Sequence, residues 1–202
     1  TAYKEGYKPL VFTEEMSQQQ LSIRFDAMML GISPKALRKG SLTEDEEEKY
    51  FKYLDELEEK KWQFLVGEGL GMEGVDSILT AIQSIRPDIV GIDGAYLFSE
   101  SYDWKDLSSM TKKLKQIAAL TKVPIILTNQ KAENADKVAF SKSFKRDSSY
   151  LIYMFKDDDK EELNYMNFSL VKGRDSEKIS WVTDWDIDRG NFSEREGLNP
   201  DD

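Results

Sequence analysis

Asp88-Ile89-Val90-Gly91-Ile92-Asp93 is the stretch that decides the fold: an apolar run of strand length that ends on a carboxylate. A strand buried on both faces reads as a near-continuous apolar run, and such strands belong to parallel sheets covered by helices. Upstream, Pro9-Leu10-Val11-Phe12-Thr13-Glu14-Glu15 ends on an acidic pair. Downstream, Val123-Pro124-Ile125-Ile126-Leu127-Thr128-Asn129-Gln130 ends on amides. Three strands thus deliver polar groups at their carboxyl ends, the edge where open α/β sheets bind ligands. An acid in that place can hold Mg²⁺ through water beside the phosphates of a nucleotide. Phosphate chemistry is therefore the first hypothesis, although no G-x-x-x-x-G-K-[ST] phosphate loop occurs in the chain.

Helical patterns separate these strands. Ser17-Gln18-Gln19-Gln20 reads as a capping box before a helix over 17–30, and Ser33-Pro34 opens a short helix that Gly40 ends. Thr43 caps a long charged helix in which Tyr50, Phe51, Leu54 and Leu57 recur at helical spacing. Residues 62–66 predict a strand. Val75, Ile78, Leu79, Ile82 and Ile85 mark a helix lying on a sheet, and a further helix spans about 104–121 with Leu107, Met110, Leu114, Ile117 and Ala118 inward. An irregular segment is expected from the 123–128 strand to about residue 143. After it, residues 150–155, 165–171 and 179–183 read as strands with short charged connections. The expected fold is α/β, a mainly parallel central sheet flanked by helices, with antiparallel strands at the C-terminal side. Residues 1–8 read as the last turns of a helix. Residues 1–185 form one core, and 186–202 an acidic, flexible tail.

Composition limits the chemistry. With 202 residues and 40% apolar content the chain can bury one substantial core. The absence of Cys and His excludes disulfides, thiolate sites and imidazole bases, so acid–base work falls to carboxylates, Lys, Tyr or water. No apolar run reaches the roughly 18 residues of a membrane span, and the N-terminus carries no signal-peptide pattern. The expected setting is the cytoplasm, with no membrane partner. The net charge of −10 argues against a general nucleic-acid coat. The acid is unevenly spread: nine acids against four bases over 44–61, and seven against two over 184–202. Residues 131–146 instead carry five bases against two acids, so any contact with a polyanion is expected there, with Lys131, Lys137 and Lys142 as candidates.

Each candidate group has a plain structural reading beside the functional one. Asp93 can serve Mg²⁺, or can be an ordinary strand end. Glu14 or Glu15 can orient and deprotonate an attacking water, or can sit in the first turn of a helix, which favours negative charge. Asn129 and Gln130 can sense a γ-phosphate, or form a polar turn. Lys172 and Arg174, two residues apart around Gly173, can clamp the γ-phosphate of a nucleotide held by a neighbouring subunit, or form a hairpin turn.

Taken in order, these pieces resemble the C-terminal RecA-like motor domain of DnaB-type replicative DNA helicases, in a phage-like version. The family's F-S-x-E-M strand end is similar to Phe12-Thr13-Glu14-Glu15-Met16, and its Q-x-x-x-R helix to Gln20 and Arg24. Its apolar-D-Y-L-Q-L strand corresponds to Ile92-Asp93-Gly94-Ala95-Tyr96-Leu97, with Tyr96 in place of the Gln. L-K-x-[LI]-A followed by V-P-[VI]-[VI] matches Leu114-Lys115-Gln116-Ile117-Ala118 and Val123-Pro124-Ile125-Ile126. The stretch S-I-E-Q-D-A-D keeps only Ser143 and Asp147, and G-K-x-R is met by Lys172-Gly173-Arg174. The R-E-S-G loop has no clear counterpart at Ala139-Phe140-Ser141-Lys142.

The resemblance spans about residues 9–185, and order and spacing carry it more than any single piece. It implies an ATP-dependent helicase moving on single-stranded DNA as a homo-oligomeric, hexameric ring, with primase or a helicase loader as further partners. It selects Glu15 as the catalytic glutamate and Asp93 as the Mg²⁺ residue, and places Arg24 among the nucleotide-binding groups. Asn129 and Gln130 become coupling residues, and Lys172 and Arg174 trans-acting ones. The family's phosphate loop would lie some 15–20 residues before Thr1, so this segment alone is expected to be inactive. Two other readings are a RecA-type recombinase or repair ATPase, and a non-catalytic assembly partner.

Overall fold

A computed structural model describes residues 2–59, 65–67, 74–98, 104–129, 138–156, 164–186, 189–190 and 192–195. The chain divides into two compact units, Thr1–Leu21 with Glu59–Ser148, and Ser22–Glu58 with Ser149–Asp202. Each is described by itself.

The first unit is built on a four-stranded sheet in the order β2-β1-β3-β4, all parallel. Its strands are β1 (Pro9–Thr13), β2 (Leu65–Gly67), β3 (Ile89–Asp93) and β4 (Ile125–Leu127). The inner strands β1 and β3 pair from Pro9 with Ile89 to Thr13 with Asp93, so their carboxyl ends lie level. Leu10, Phe12, Val90 and Ile92 are buried, as the apolar runs predict. The helices α4 (Gly74–Ile85) and α5 (Trp104–Thr121) supply the rest of the core. α4 contributes Val75, Ile78 and Ile82, and α5 contributes Leu107, Met110, Leu114 and Ile117, one face of each helix. The 62–66 strand expectation is met from Leu65 onward, its earlier part lying outside the described residues.

A correction concerns the segment after β4, expected to be irregular as far as residue 143. Val138–Asp147 is a helix, α6. Its Phe144 joins the first unit's core and Ser143 is buried beside it. The side chain of Asp147 accepts hydrogen bonds from Thr111 Oγ1 at 2.7 Å and from Arg146. Arg146 also donates to Ser108 Oγ at 2.9 Å, so two side chains tie α6 to α5. Burial of Phe144 and satisfaction of a part-buried carboxylate outweigh the polar composition that suggested a loop.

The second unit carries an antiparallel sheet, β5-β6-β7, from β5 (Leu151–Phe155), β6 (Tyr165–Lys172) and β7 (Ser180–Asp184). The expected antiparallel strands are present, hydrogen-bonded to one another in a sheet of their own. Residues 193–195, expected within a loose acidic tail, run beside β7. Asp184 N donates to Ser193 O, Arg195 N donates to Val182 O, and Arg195 pairs with Asp184. The same unit holds most of α1 (Gln18–Leu30), the short α2 (Pro34–Lys39) and the acidic α3 (Glu44–Glu58). Their caps follow the sequence. Ser17 and Gln20 exchange a reciprocal capping box, Thr43 and Glu46 exchange another, and Ser33 Oγ accepts from Ala36 N. Gly40, at φ 64°, closes α2 with its own N–H and that of Ser41 bonded back to Leu37 O and Ala36 O.

Candidate active site

Two parallel neighbours that end in register bring Thr13 opposite Asp93 at the carboxyl edge of the sheet. Thr128, just past β4, completes the group. The hydroxyl of Thr128 donates to Asp93 Oδ1 at 2.7 Å and accepts from Gly94 N at 3.1 Å. The hydroxyl of Thr13, itself buried, donates to Asp93 Oδ2 at 3.4 Å and accepts from Met16 N at 3.2 Å. Each carboxylate oxygen of Asp93 thus accepts one hydrogen bond from a threonine at or just past the end of a neighbouring strand. An ionised carboxylate offers about four acceptor positions, so Asp93 keeps capacity for the protons of metal-bound water.

The chain turns sharply after Asp93. Gly94 adopts φ 68° and Ala95–Phe98 form a short 3₁₀ helix, fastened by Ala95 N donating to Thr128 O at 3.1 Å. Glu15, on the bend after β1, packs against this turn. The Tyr96 hydroxyl donates to Glu15 Oε1 at 2.8 Å. The positive φ at Gly94 favours glycine, and a Cβ there would stand 2.7 Å from that same oxygen and 2.9 Å from Glu15 Cγ, displacing the Glu15 side chain from this place. Of the acidic pair, Glu15 is the one seated beside the Asp93 strand end; Glu14 is half-buried and makes contacts of its own.

One carboxylate hydrogen-bonded by two threonine hydroxyls, with a second carboxylate beside the adjacent turn, forms a hard-oxygen set. That set suits Mg²⁺, which keeps several waters and takes one or two protein carboxylates alongside substrate phosphates.

The model of the DnaB-like helicase C-terminal domain matches residues 1–162. The chain belongs to that family. A curated relative, the replicative DNA helicase DnaB of Helicobacter pylori (strain ATCC 700392 / 26695), is 30% identical over 135 residues. Those residues take in 62% of this chain and 28% of the helicase, so the match covers little more than a quarter of the relative's length. Among solved structures, the ATPase domain of G40P superposes with a TM-score of 0.81 at 16% identity, covering 96% of this chain and 76% of that one. A DnaB-like replicative helicase studied with primase gives 0.78 at 17% identity, with 96% and 53% covered. A KaiC-like protein from Pyrococcus horikoshii OT3 gives 0.63 at 12% identity, with 96% and 78% covered. At these identities the structures establish the RecA-like α/β fold.

The other residues singled out in this DnaB-like domain are dispersed. Asn129 follows β4 at the same sheet edge and is exposed. Gln130, Lys131 and Lys137 lie outside the described residues. Lys142 is exposed, but on the helix α6 instead of the loop expected over 131–146. In the second unit, Arg24 is exposed on α1, Lys172 ends β6 half-buried, and Arg174 is exposed in the turn that follows. Residue-by-residue reading missed Thr13, Thr128 and Gly94 as site groups and assigned Tyr96 no role. The available signal was positional: a threonine stands at or just past the end of each strand that flanks the Asp93 strand.

Among the described residues no helix is long and apolar enough to cross a membrane.

Proposed function

We propose that this domain is the motor portion of a ring-forming, ATP-dependent replicative DNA helicase that translocates on single-stranded DNA. The observation that carries the reading is the convergence of Glu15 and Asp93 on one turn at the carboxyl edge of β1 and β3. Glu15 accepts a proton from a water molecule as the water oxygen bonds to the γ-phosphorus, and the β–γ bridging oxygen leaves with ADP. Asp93, aligned by Thr13 and Thr128, would hold Mg²⁺ through water, and the ion when bound would supply charge neutralisation at the β- and γ-phosphates. Asn129 and Gln130 register the γ-phosphate and pass its presence to the segment after them. Lys131, Lys137 and Lys142 contact the DNA backbone, where each phosphate contact makes affinity fall with salt. Arg24 belongs to the nucleotide-binding set.

Lys172 and Arg174 act on the nucleotide of a neighbouring subunit, which is why a closed ring, hexameric in this reading, is required. The exposure of Arg174 in its turn supports that assignment, because a trans-acting group must leave its own subunit's surface free to reach. Primase or a loader is the further partner.

The test uses the assembled protein that carries this domain. Glu15→Gln is expected to lower DNA-stimulated ATP hydrolysis roughly 10²–10⁴-fold. Arg174→Ala is expected to lower it about 10³–10⁵-fold. Mixed rings of the two variants should regain part of the rate, because in a random one-to-one mixture roughly a quarter of the interfaces pair an intact glutamate with an intact arginine. Full activity of Glu15→Gln, or no recovery in mixed rings, would count against the proposal.

A further inference from the structure

We infer that Tyr96 is a positioning residue for Glu15, an inference that rests on the hydrolytic reading above. Three observations lead there. The Tyr96 hydroxyl donates to Glu15 Oε1 at 2.8 Å. Gly94, whose φ of 68° turns the chain immediately after Asp93, leaves open the space that Glu15 Cγ, Cδ and Oε1 occupy. The turn carrying Tyr96 is itself fixed to the sheet, since Gly94 N donates to Thr128 Oγ1 and Ala95 N to Thr128 O.

Glu15 is exposed, and it follows the end of β1 on a bend with no helix to hold it. An exposed glutamate has three freely rotating side-chain bonds and spends its time among many rotamers. Glycine beneath leaves room for the rotamer seen, and the phenol beside it favours that rotamer, next to the carboxylate that would hold Mg²⁺. The phenol takes one of about four acceptor positions on the carboxylate, so the rest remain for a water molecule. A base on so mobile a side chain gains much of its rate from being held at the attacking water. In the family pattern this position carries Gln; here the longer phenol supplies the donor.

The experiment compares Tyr96→Phe, Glu15→Gln and the double variant in the full-length, ring-assembled protein. The ring of Phe keeps the packing of Tyr and removes only the hydroxyl. Tyr96→Phe is expected to lower kcat about tenfold, the rate equivalent of one hydrogen bond. KM for ATP and the melting temperature should stay unchanged. In single-turnover measurements the loss should vanish in the Glu15→Gln background, because a group that acts through Glu15 has nothing left to position. An unchanged kcat for Tyr96→Phe overturns the inference, as does an equal loss in both backgrounds. In either case a slow Glu15→Gln variant leaves the hydrolytic reading standing. If Glu15→Gln itself hydrolyses ATP at the full rate, that reading falls and this inference with it.

Discussion

The inner strands of the parallel sheet and the edge strand of the antiparallel sheet are used in opposite ways. In the parallel sheet, β1 and β3 are covered, Phe12 is 2% exposed, and the polar groups gather where the strands end. In the antiparallel sheet, Ile152, Tyr153, Met154 and Phe155 of the edge strand β5 are all exposed, Met154 at 51%, and Lys172 and Arg174 sit at the far end of β6 and its turn. The difference teaches where each kind of chemistry can be placed. Groups that must be held to a fraction of an ångström, such as Asp93 between two threonine hydroxyls, belong on strand ends that a packed core immobilises. Under the function proposed above, a group such as Arg174 that acts across a subunit boundary belongs on an exposed turn, because only from the surface can it reach.

The contrast is sharpest in stability. Phe12→Ala should destabilise the first unit by about 3–5 kcal/mol, since the ring lies in a closed core that can collapse only in part. Met154→Ala should change stability by no more than about 0.5 kcal/mol. Urea denaturation of both variants measures the gap; comparable losses would mean that β5 is as deeply packed as β1. Next in size, Thr111→Val removes a buried hydroxyl that donates to Asp147 while keeping the shape of the side chain. A loss of roughly 1–2 kcal/mol is expected, with faster hydrogen exchange in peptides from α6 and none of this change in β6 or β7. Uniform acceleration across both sheets would show that the two units open together.

The smallest effect is a pair of opposite pH dependences. Hydrogen bonding from Arg146, helped by Thr111 and opposed by burial, holds the Asp147 carboxyl below its ordinary value of 3.8. Asp147 therefore stabilises the fold above that value and loses the contribution as pH falls through the lower folded one. Asp26, on α1, is raised above 3.8 by burial, which outweighs hydrogen bonds from Tyr53 and Tyr50. Between 3.8 and the raised value the folded state holds more protons than the unfolded chain, so there stability declines as pH increases. Urea titrations over about pH 3 to 6 should show Asp147→Asn flattening the acid-side rise and Asp26→Asn removing the decline. Slopes of the same sign in the two variants would refute the assignment.

How far the site could be read in advance depended on the kind of signal. The strands ending at Thr13 and Asp93 were legible because buried parallel strands leave unbroken apolar runs, and the capping boxes at Ser17 and Thr43 because their partners are three residues apart. The helix α6 was not: its only buried apolar anchor among the described side chains, Phe144, stands in a segment whose serines and lysines read as a loop. Nor could the choice between Glu14 and Glu15 be settled from alternation along β1, since the chain leaves strand geometry before reaching them.

Local order in the sequence determined which residues form strands, where helices begin, and that three strands end on polar groups. Those are properties of near neighbours: hydrophobic period, side-chain caps, and the conformational limits of Gly and Pro. Tertiary structure alone decided that the hydroxyls of Thr13 and Thr128 both reach Asp93, that Tyr96 reaches Glu15 across 81 positions of chain, and that Asp147 closes on Thr111. Such pairs are joined only when strand register and helix packing bring distant segments together, and a hydrogen bond a few ångströms long leaves no periodic trace along the chain.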